Sequence, residues 1–182
     1  MEVPNLDQEI ALISDEAIRT LTKEVFKRVP DYFWTLPASS SGKYHPLKDR
    51  GPYGCVYHTK DVIKFGLVIA DSKGSPVGTL LADKVICAAA LHDVAKYTLD
   101  SKKHSDWTVK NHPDLAADLI LSMGSPYLVS FTPEKITTVS NYDMAEISQA
   151  VRSHMGRWGT CQPQSELDWI IHLADNIASH NY

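Results

Sequence analysis

Val85-Ile86-Cys87-Ala88-Ala89-Ala90-Leu91-His92-Asp93-Val94-Ala95-Lys96 is the stretch that decides the fold. Small and apolar residues fill nearly every position and strong helix formers dominate, which predicts a helix buried on all sides. Such a helix should not end in an imidazole beside a carboxylate, because burying either group unpaired is costly. A metal ion resolves the conflict, since neutral imidazole and ionised carboxylate are both good ligands for a divalent transition metal. Lys96 follows His92 by four positions and Asp93 by three, so on a helix its ammonium projects from the same face. A metal-binding pair with a cation one turn away suits an anionic substrate, phosphate first among them. A lone His-Asp dipeptide also ends many ordinary helices with its side chains in water, so the other histidines must decide.

The chain has 182 residues, which predicts one domain able to bury a core without staples. A hydrophobic fraction of 43% and a charged fraction of 22% are those of a soluble globular protein. The net charge of -4 argues against broad phosphate neutralisation on an extended nucleic acid, but not against a small charged substrate in a local basic pocket. No apolar run has the length of a membrane helix, and the N-terminus lacks a signal pattern. Cys55, Cys87 and Cys161 share no CxxC spacing, and their odd number fits a reduced cytoplasm.

Outward from the central helix, the periodicity predicts helices throughout. Ser14 as N-cap, then Ile18, Leu21, Val25, Phe26 and Val29, make an amphipathic N-terminal helix stopped by Pro30. Residues 31–54, rich in aromatics, Ser, Gly and Pro, read as a long ordered loop whose Lys43, His45 and Arg50 are candidates to reach over a substrate. Ser39-Ser40-Ser41-Gly42-Lys43 lacks the two-glycine Walker spacing, which rejects a P-loop. A helix is predicted from about Tyr57 to Ala70 with His58 in its first turn. Another begins near His112 with Pro113 in its first turn. Residues 124–141 read as irregular, or as a short helix near Glu134. A helix over 145–155 ends at His154 with Gly156 as breaker, and Ser165 caps a last helix from Glu166 to about Ser179. No strand pair is evident, and the class is all-α.

His58, His92, Asp93, His112, His154 and Asp175 each fall at a helix end or on an apolar face rather than in a polar run. Four imidazoles and two carboxylates supply ligands for two divalent ions, with Asp93 able to bridge them. Two ions about 3.5–4 Å apart activate a shared water and clamp the attacking and leaving oxygens, which is what phosphoester hydrolysis needs. His104, His172 and His180 read as structural, with His172 one turn before Asp175.

These motifs, in this order, resemble the HD-domain superfamily of metal-dependent phosphohydrolases. Ala89-Ala90-Leu91-His92-Asp93-Val94-Ala95-Lys96 is similar to the family's His-Asp helix followed by Lys, Tyr57-His58-Thr59 to its first ligand, and Ala174-Asp175-Asn176 to its distal aspartate. Asn111-His112-Pro113 and Ser153-His154-Met155-Gly156 resemble the two further histidines of the binuclear branch. A closer resemblance is to the catalytic module of bacterial HD-domain 3′→5′ exoribonucleases, through Tyr32-Phe33-Trp34-Thr35-Leu36-Pro37-Ala38 and Lys43-Tyr44-His45. Those enzymes commonly show Ser-His-His-Gly where this chain has Ser153-His154-Met155-Gly156, and they carry a nucleic-acid-binding domain that the short leading helix does not supply. The resemblance therefore implies nucleotides, cyclic nucleotides or short oligonucleotides as substrates, with no extended nucleic acid and no membrane.

The resemblance implies a single-domain HD-type helical bundle, with residues 1–30 as an N-terminal helix packed on an HD domain of residues 31–182. His58, His92, Asp93 and Asp175 would hold the first metal, and Asp93, His112 and His154 the second, with Mn, Fe, Ni, Mg or Zn all acceptable. Asp93 and Lys96 would be catalytic, Lys96 by pairing with a phosphate oxygen. Lys43, His45, Arg157 and Trp158 are candidates to contact phosphate or stack on a base. The expected chemistry is attack by a metal-bridging hydroxide. The same ligands also suit a diiron oxygenase such as myo-inositol oxygenase, or a non-catalytic nucleotide-binding protein. Exposed aromatics such as Trp107, Trp158 and Trp169 leave room for a homo-oligomer.

Overall fold

Helix α4 (Leu80–Leu91) is the axis of the molecule. Thr79 caps it by accepting the Ala82 N–H, and every residue from Ala82 to Leu91 is buried. The polar pair at its start, Asp83 and Lys84, is buried with partners. Asp83 accepts the Ser14 and Asp15 N–H groups at 2.9 and 2.8 Å and the Ser14 hydroxyl at 2.6 Å. Lys84 Nζ lies 2.5 Å from Asp143 and 2.6 Å from Glu146. A computed structural model describes residues 3–43, 45–123, 130–132, 135–137 and 139–180.

Around α4 pack α2 (Glu16–Phe26), α3 (Gly54–Ser72), α6 (Asn141–Ser153) and α7 (Glu166–Ser179). Helix α5 (His112–Ser122) lies against α6, and the short α1 (Asp7–Ala11) closes the end near α2. The all-α expectation holds for this body. Beside it is one small exception, an antiparallel ribbon of β1 (Ser130–Thr132) and β2 (Lys135–Thr137) in register Phe131↔Ile136. Three-residue strands carry too few alternations to be read by periodicity. The short helix expected near Glu134 is not what flanks that position, and Glu134 itself lies outside the described residues.

Local chemistry explains several shifted boundaries. Asp15, not Ser14, caps α2 by accepting the Ile18 N–H, because Asp83 takes up the Ser14 groups. Helix α6 starts at Asn141 because Ser140 accepts the Asp143 N–H, a cap that precedes any apolar stripe. Helix α3 begins at Gly54, earlier than its hydrophobic pattern shows, so His58 sits in its second turn. A Cβ at Gly54 would lie 2.1 Å from the Asp49 carbonyl oxygen, so only glycine lets the preceding loop close on this helix start.

The described part of residues 31–54 is pinned to the body by its aromatics, as expected. Phe26, Phe33 and Trp34 pack with centroids 5.0–5.8 Å apart, and Tyr32 meets Tyr97 edge-on at 6.0 Å. The Tyr97 hydroxyl donates to the Pro37 carbonyl at 2.9 Å. This fastens the loop to the segment that follows the His-Asp pair. Among the described residues no helix is long and apolar enough to cross a membrane.

Candidate metal centre

The helix expected to run through Lys96 stops at Leu91. His92 is its C-cap, and Asp93 to Lys96 follow as tight turns, with the Lys96 N–H on the Asp93 carbonyl at 3.0 Å. Lys96 thus reaches Asp93 across a turn rather than along a helical face, and its Nζ lies 2.5 Å from Asp93 Oδ2. His154 likewise caps the C-terminus of α6, His112 opens α5, and Asp175 projects from α7.

Backbone carbonyls beside the helix ends orient three of the imidazoles. His92 Nδ1–H donates to the Ala89 carbonyl, His112 Nδ1–H to Val109 and His154 Nδ1–H to Val151, each at 2.7 Å and each three residues back. Each bond leaves the neutral ring with its lone pair on Nε2 and orients it. All three Nε2 atoms point at the same small volume. His112 Nε2 and His154 Nε2 are 3.3 Å apart, and His92 Nε2 lies 3.4 Å from His58 Nε2.

Two facing lone pairs at 3.3 Å repel unless a proton or a cation lies between them. A cation fits the donor set. His58, His92 and Asp93 form one buried group of donor atoms, and Asp93, His112 and His154 a second, each within 4.8 Å mutually. Asp93 belongs to both, through Oδ2 at 3.4 Å from His92 and Oδ1 at 3.0 Å from His112 and 3.7 Å from His154. Asp175 Oδ1 joins the first group at 3.0 Å from His58 and 3.9 Å from His92. Neighbouring ligands held about 2.0–2.2 Å from one ion are separated by distances of this size.

The electrostatics keep His154, Asp93 and Asp175 in ligating form. Burial, then the neighbouring His92 and His112, pushes His154 down to about 3, so it is neutral. Burial pushes the carboxyls of Asp93 and Asp175 up, but Lys96 and His92 on the first, and His58 on the second, reverse this and hold both ionised. For His92, burial favours the neutral ring, but the Asp93 carboxylate outweighs it and raises the pKa. Burial likewise opposes the charge on Lys96, and Asp93 more than restores it.

A cavity of about 570 Å³ opens onto the centre, lined by Asp93, Lys96, His112, His154 and Asp175 on its inner side. Of the four loop residues singled out for substrate contact, His45 and Trp158 line it, whereas Lys43 and Arg157 do not. His45 is buried, its ring meets His58 edge-on at 4.8 Å, and neither ring nitrogen has a partner among the described residues. Burial, then Lys96, lowers its pKa to about 3. Arg157 lies over the Trp158 ring at 4.3 Å, and Lys43 is exposed. Arg50 is turned away as well, its Nε donating to the His45 carbonyl at 2.6 Å. Tyr44 lies outside the described residues.

Several lining residues escaped the sequence reading. Ser39, Ser40, Ser41, Thr108, Asn176 and Ser179 face the cavity, and so do His172 and His180, read above as structural. His172 Nδ1–H donates to the His154 carbonyl at 2.6 Å, so it braces the segment that carries a metal-facing ring. Its position one turn before Asp175 was the signal the sequence offered. His104 packs against Tyr32 and Tyr97, away from the centre.

No curated protein and no solved structure gives a significant match to the chain. A family model described as HD domain matches residues 55–179, a span that contains every imidazole and carboxylate of the centre. The chain therefore belongs to the HD-domain family, whose members are mostly metal-dependent hydrolases.

Proposed function

We propose that this chain is a metal-dependent phosphohydrolase that cleaves a phosphoester of a nucleotide-like substrate. The observation that carries the reading is the pair of buried donor groups sharing Asp93, with three imidazoles aimed by backbone carbonyls. His58, His92, Asp93 and Asp175 would hold one divalent ion, and Asp93, His112 and His154 a second. When bound, such ions supply Lewis-acid activation of water and neutralise charge on a phosphoryl group.

The chain's own residues prepare the site for that chemistry. The Ala89, Val109 and Val151 carbonyls fix ring tautomer and direction, so no reorientation is needed at the moment of reaction. Lys96 holds the Asp93 carboxylate in place and presents positive charge at the cavity wall. His45 offers one N–H and one lone pair beside the centre. In the net reaction a water oxygen bonds to phosphorus and the ester P–O bond breaks. The departing alcohol oxygen takes one proton of that water, and the other stays with the product phosphate.

Purified protein supplied with Mn²⁺, Fe²⁺ or Ni²⁺ should release p-nitrophenol from bis-p-nitrophenyl phosphate, and Asp93→Ala should abolish it. Full activity in that variant would refute the assignment. Turnover that consumes O₂ and releases neither phosphate nor alcohol would point to an oxygenase instead.

A further inference from the structure

The charges around the cavity say what lies on the far side of the ester. Among the described lining residues Lys96 is the single Lys or Arg, and its ammonium is already held by Asp93. Three basic residues of the surrounding loops are engaged or lie outside the lining. Arg50 is bonded to the His45 carbonyl, Arg157 lies on the Trp158 ring, and Lys43 is outside the lining. Away from the centre the described wall is hydroxylated, with Ser39, Ser40, Thr108 and Asn176, and it carries the His172 and His180 imidazoles and the Trp158 indole.

An enclosed phosphate needs cations or converging N–H donors, because an anion taken from water without them is costly. The donor cluster can supply positive charge for one phosphoryl group, through the ions it would hold. A second phosphate on the same molecule would face hydroxyls, the His172 and His180 rings and the Asp175 carboxylate, with no further Lys or Arg among the described lining residues to receive it. An uncharged group meets a matching wall. Hydroxyls and the Asn176 amide suit sugar hydroxyls, the unpartnered His45 nitrogens suit a neutral group that both donates and accepts, and the indole suits a planar base. A volume of about 570 Å³ is within the usual range for a small-molecule site.

We infer that the site takes a nucleoside carrying a single phosphate, linear or cyclic, and discriminates against substrates with a second phosphate. This rests on the phosphohydrolase reading above. Trp158 is then a specificity residue for the base.

The test uses the full chain loaded with Mn²⁺. Steady-state rates are measured on nucleoside monophosphates, on the corresponding diphosphates, on glycerol phosphate and on bis-p-nitrophenyl phosphate. The monophosphates should exceed the diphosphates in kcat/KM by at least about tenfold, each tenfold being about 1.4 kcal/mol. Trp158→Ala should raise KM for the nucleoside monophosphates roughly tenfold, with kcat little changed and glycerol phosphate unaffected. Trp158→Phe should recover most of that loss. Trp158 is more than half exposed, so these variants should fold. Diphosphates cleaved as well as monophosphates, or a Trp158→Ala effect equal on glycerol phosphate, would overturn this inference while leaving the phosphohydrolase reading intact. Cleavage of no phosphoester, bis-p-nitrophenyl phosphate included, would overturn both.

Discussion

Asp93 and Lys96 offer a way to separate the charge balance of the centre from its capacity to hold an ion. Lys96 is 7% exposed, and Asp93 is the carboxylate in contact with its ammonium. Asp93→Ala would strand that ammonium in a buried place. Removing one member of a buried pair costs about 3–5 kcal/mol. In a chain of this size each kcal/mol moves Tm by about 2–4 °C, so the ion-free variant should melt roughly 10 °C below the wild type. Adding Lys96→Met removes the stranded charge and fills its volume with an adaptable apolar chain, and should recover most of the loss. Ion binding behaves differently. Wild type at a Mn²⁺ concentration about a hundredfold above Kd gains about 2.7 kcal/mol. Both variants should lose that gain, because Asp93 belongs to both donor groups. Scanning calorimetry of chelator-treated protein, with and without Mn²⁺, reads both effects. An ion-free Asp93→Ala protein as stable as the wild type would refute the charge argument, and an undiminished Mn²⁺ shift in the double variant would refute the ligand assignment.

Three further substitutions test how the packing around the centre supports it. Gly156 has φ of +53°, and a Cβ there would lie 2.6 Å from His172 Cε1. Gly156→Ala should therefore cost about 1–3 kcal/mol and weaken Mn²⁺ binding measured by calorimetric titration, since His172 braces the His154 carbonyl. Asp83→Ala removes three hydrogen bonds to the start of α2 and should cost about 2–3 kcal/mol in urea unfolding, with the Mn²⁺ shift in Tm retained. The Lys84 clamp to α6 should show a pH window. Burial pushes the Asp143 carboxyl up, but Lys84 and Ser140 bring it below its ordinary value of 3.8, so its contribution is present above that pH and lost as pH falls through the folded value. Burial pushes Lys84 down, but Asp143 and Glu146 carry it above 10.5, so its contribution is present below that pH and lost as pH rises through the folded value. Lys84→Met should be about 1–2 kcal/mol less stable at neutral pH, and urea unfolding should show that gap closing as pH falls below the ordinary Asp143 value of 3.8. A gap that persists there would show that packing, not charge, is what Lys84 contributes.

What could be read from the chain alone is what short-range chemistry decides. Helix α7 was legible at its start because Ser165 and Asp168 form a reciprocal cap within four residues and the apolar stripe starts at once. The buried character of α4 was legible because no polar face interrupts its alanines. The six candidate ligands were legible because an imidazole or carboxylate on an apolar face contradicts its surroundings and asks for a partner. Other features depend on which elements meet, and periodicity does not record that. Helix α4 ends before Asp93, so Lys96 turns onto that carboxylate instead of standing free toward a phosphate. Arg50 and Arg157 read from the sequence as cations over a substrate, but a carbonyl and an indole ring brought in by folding claim them. His172 and His180, read from the sequence as structural, line the cavity. Residue type and helical phase state what a side chain can do. Only the packing of α3, α4, α5, α6 and α7 brings six such side chains to one point, because convergence is a property of distances between segments far apart in the chain.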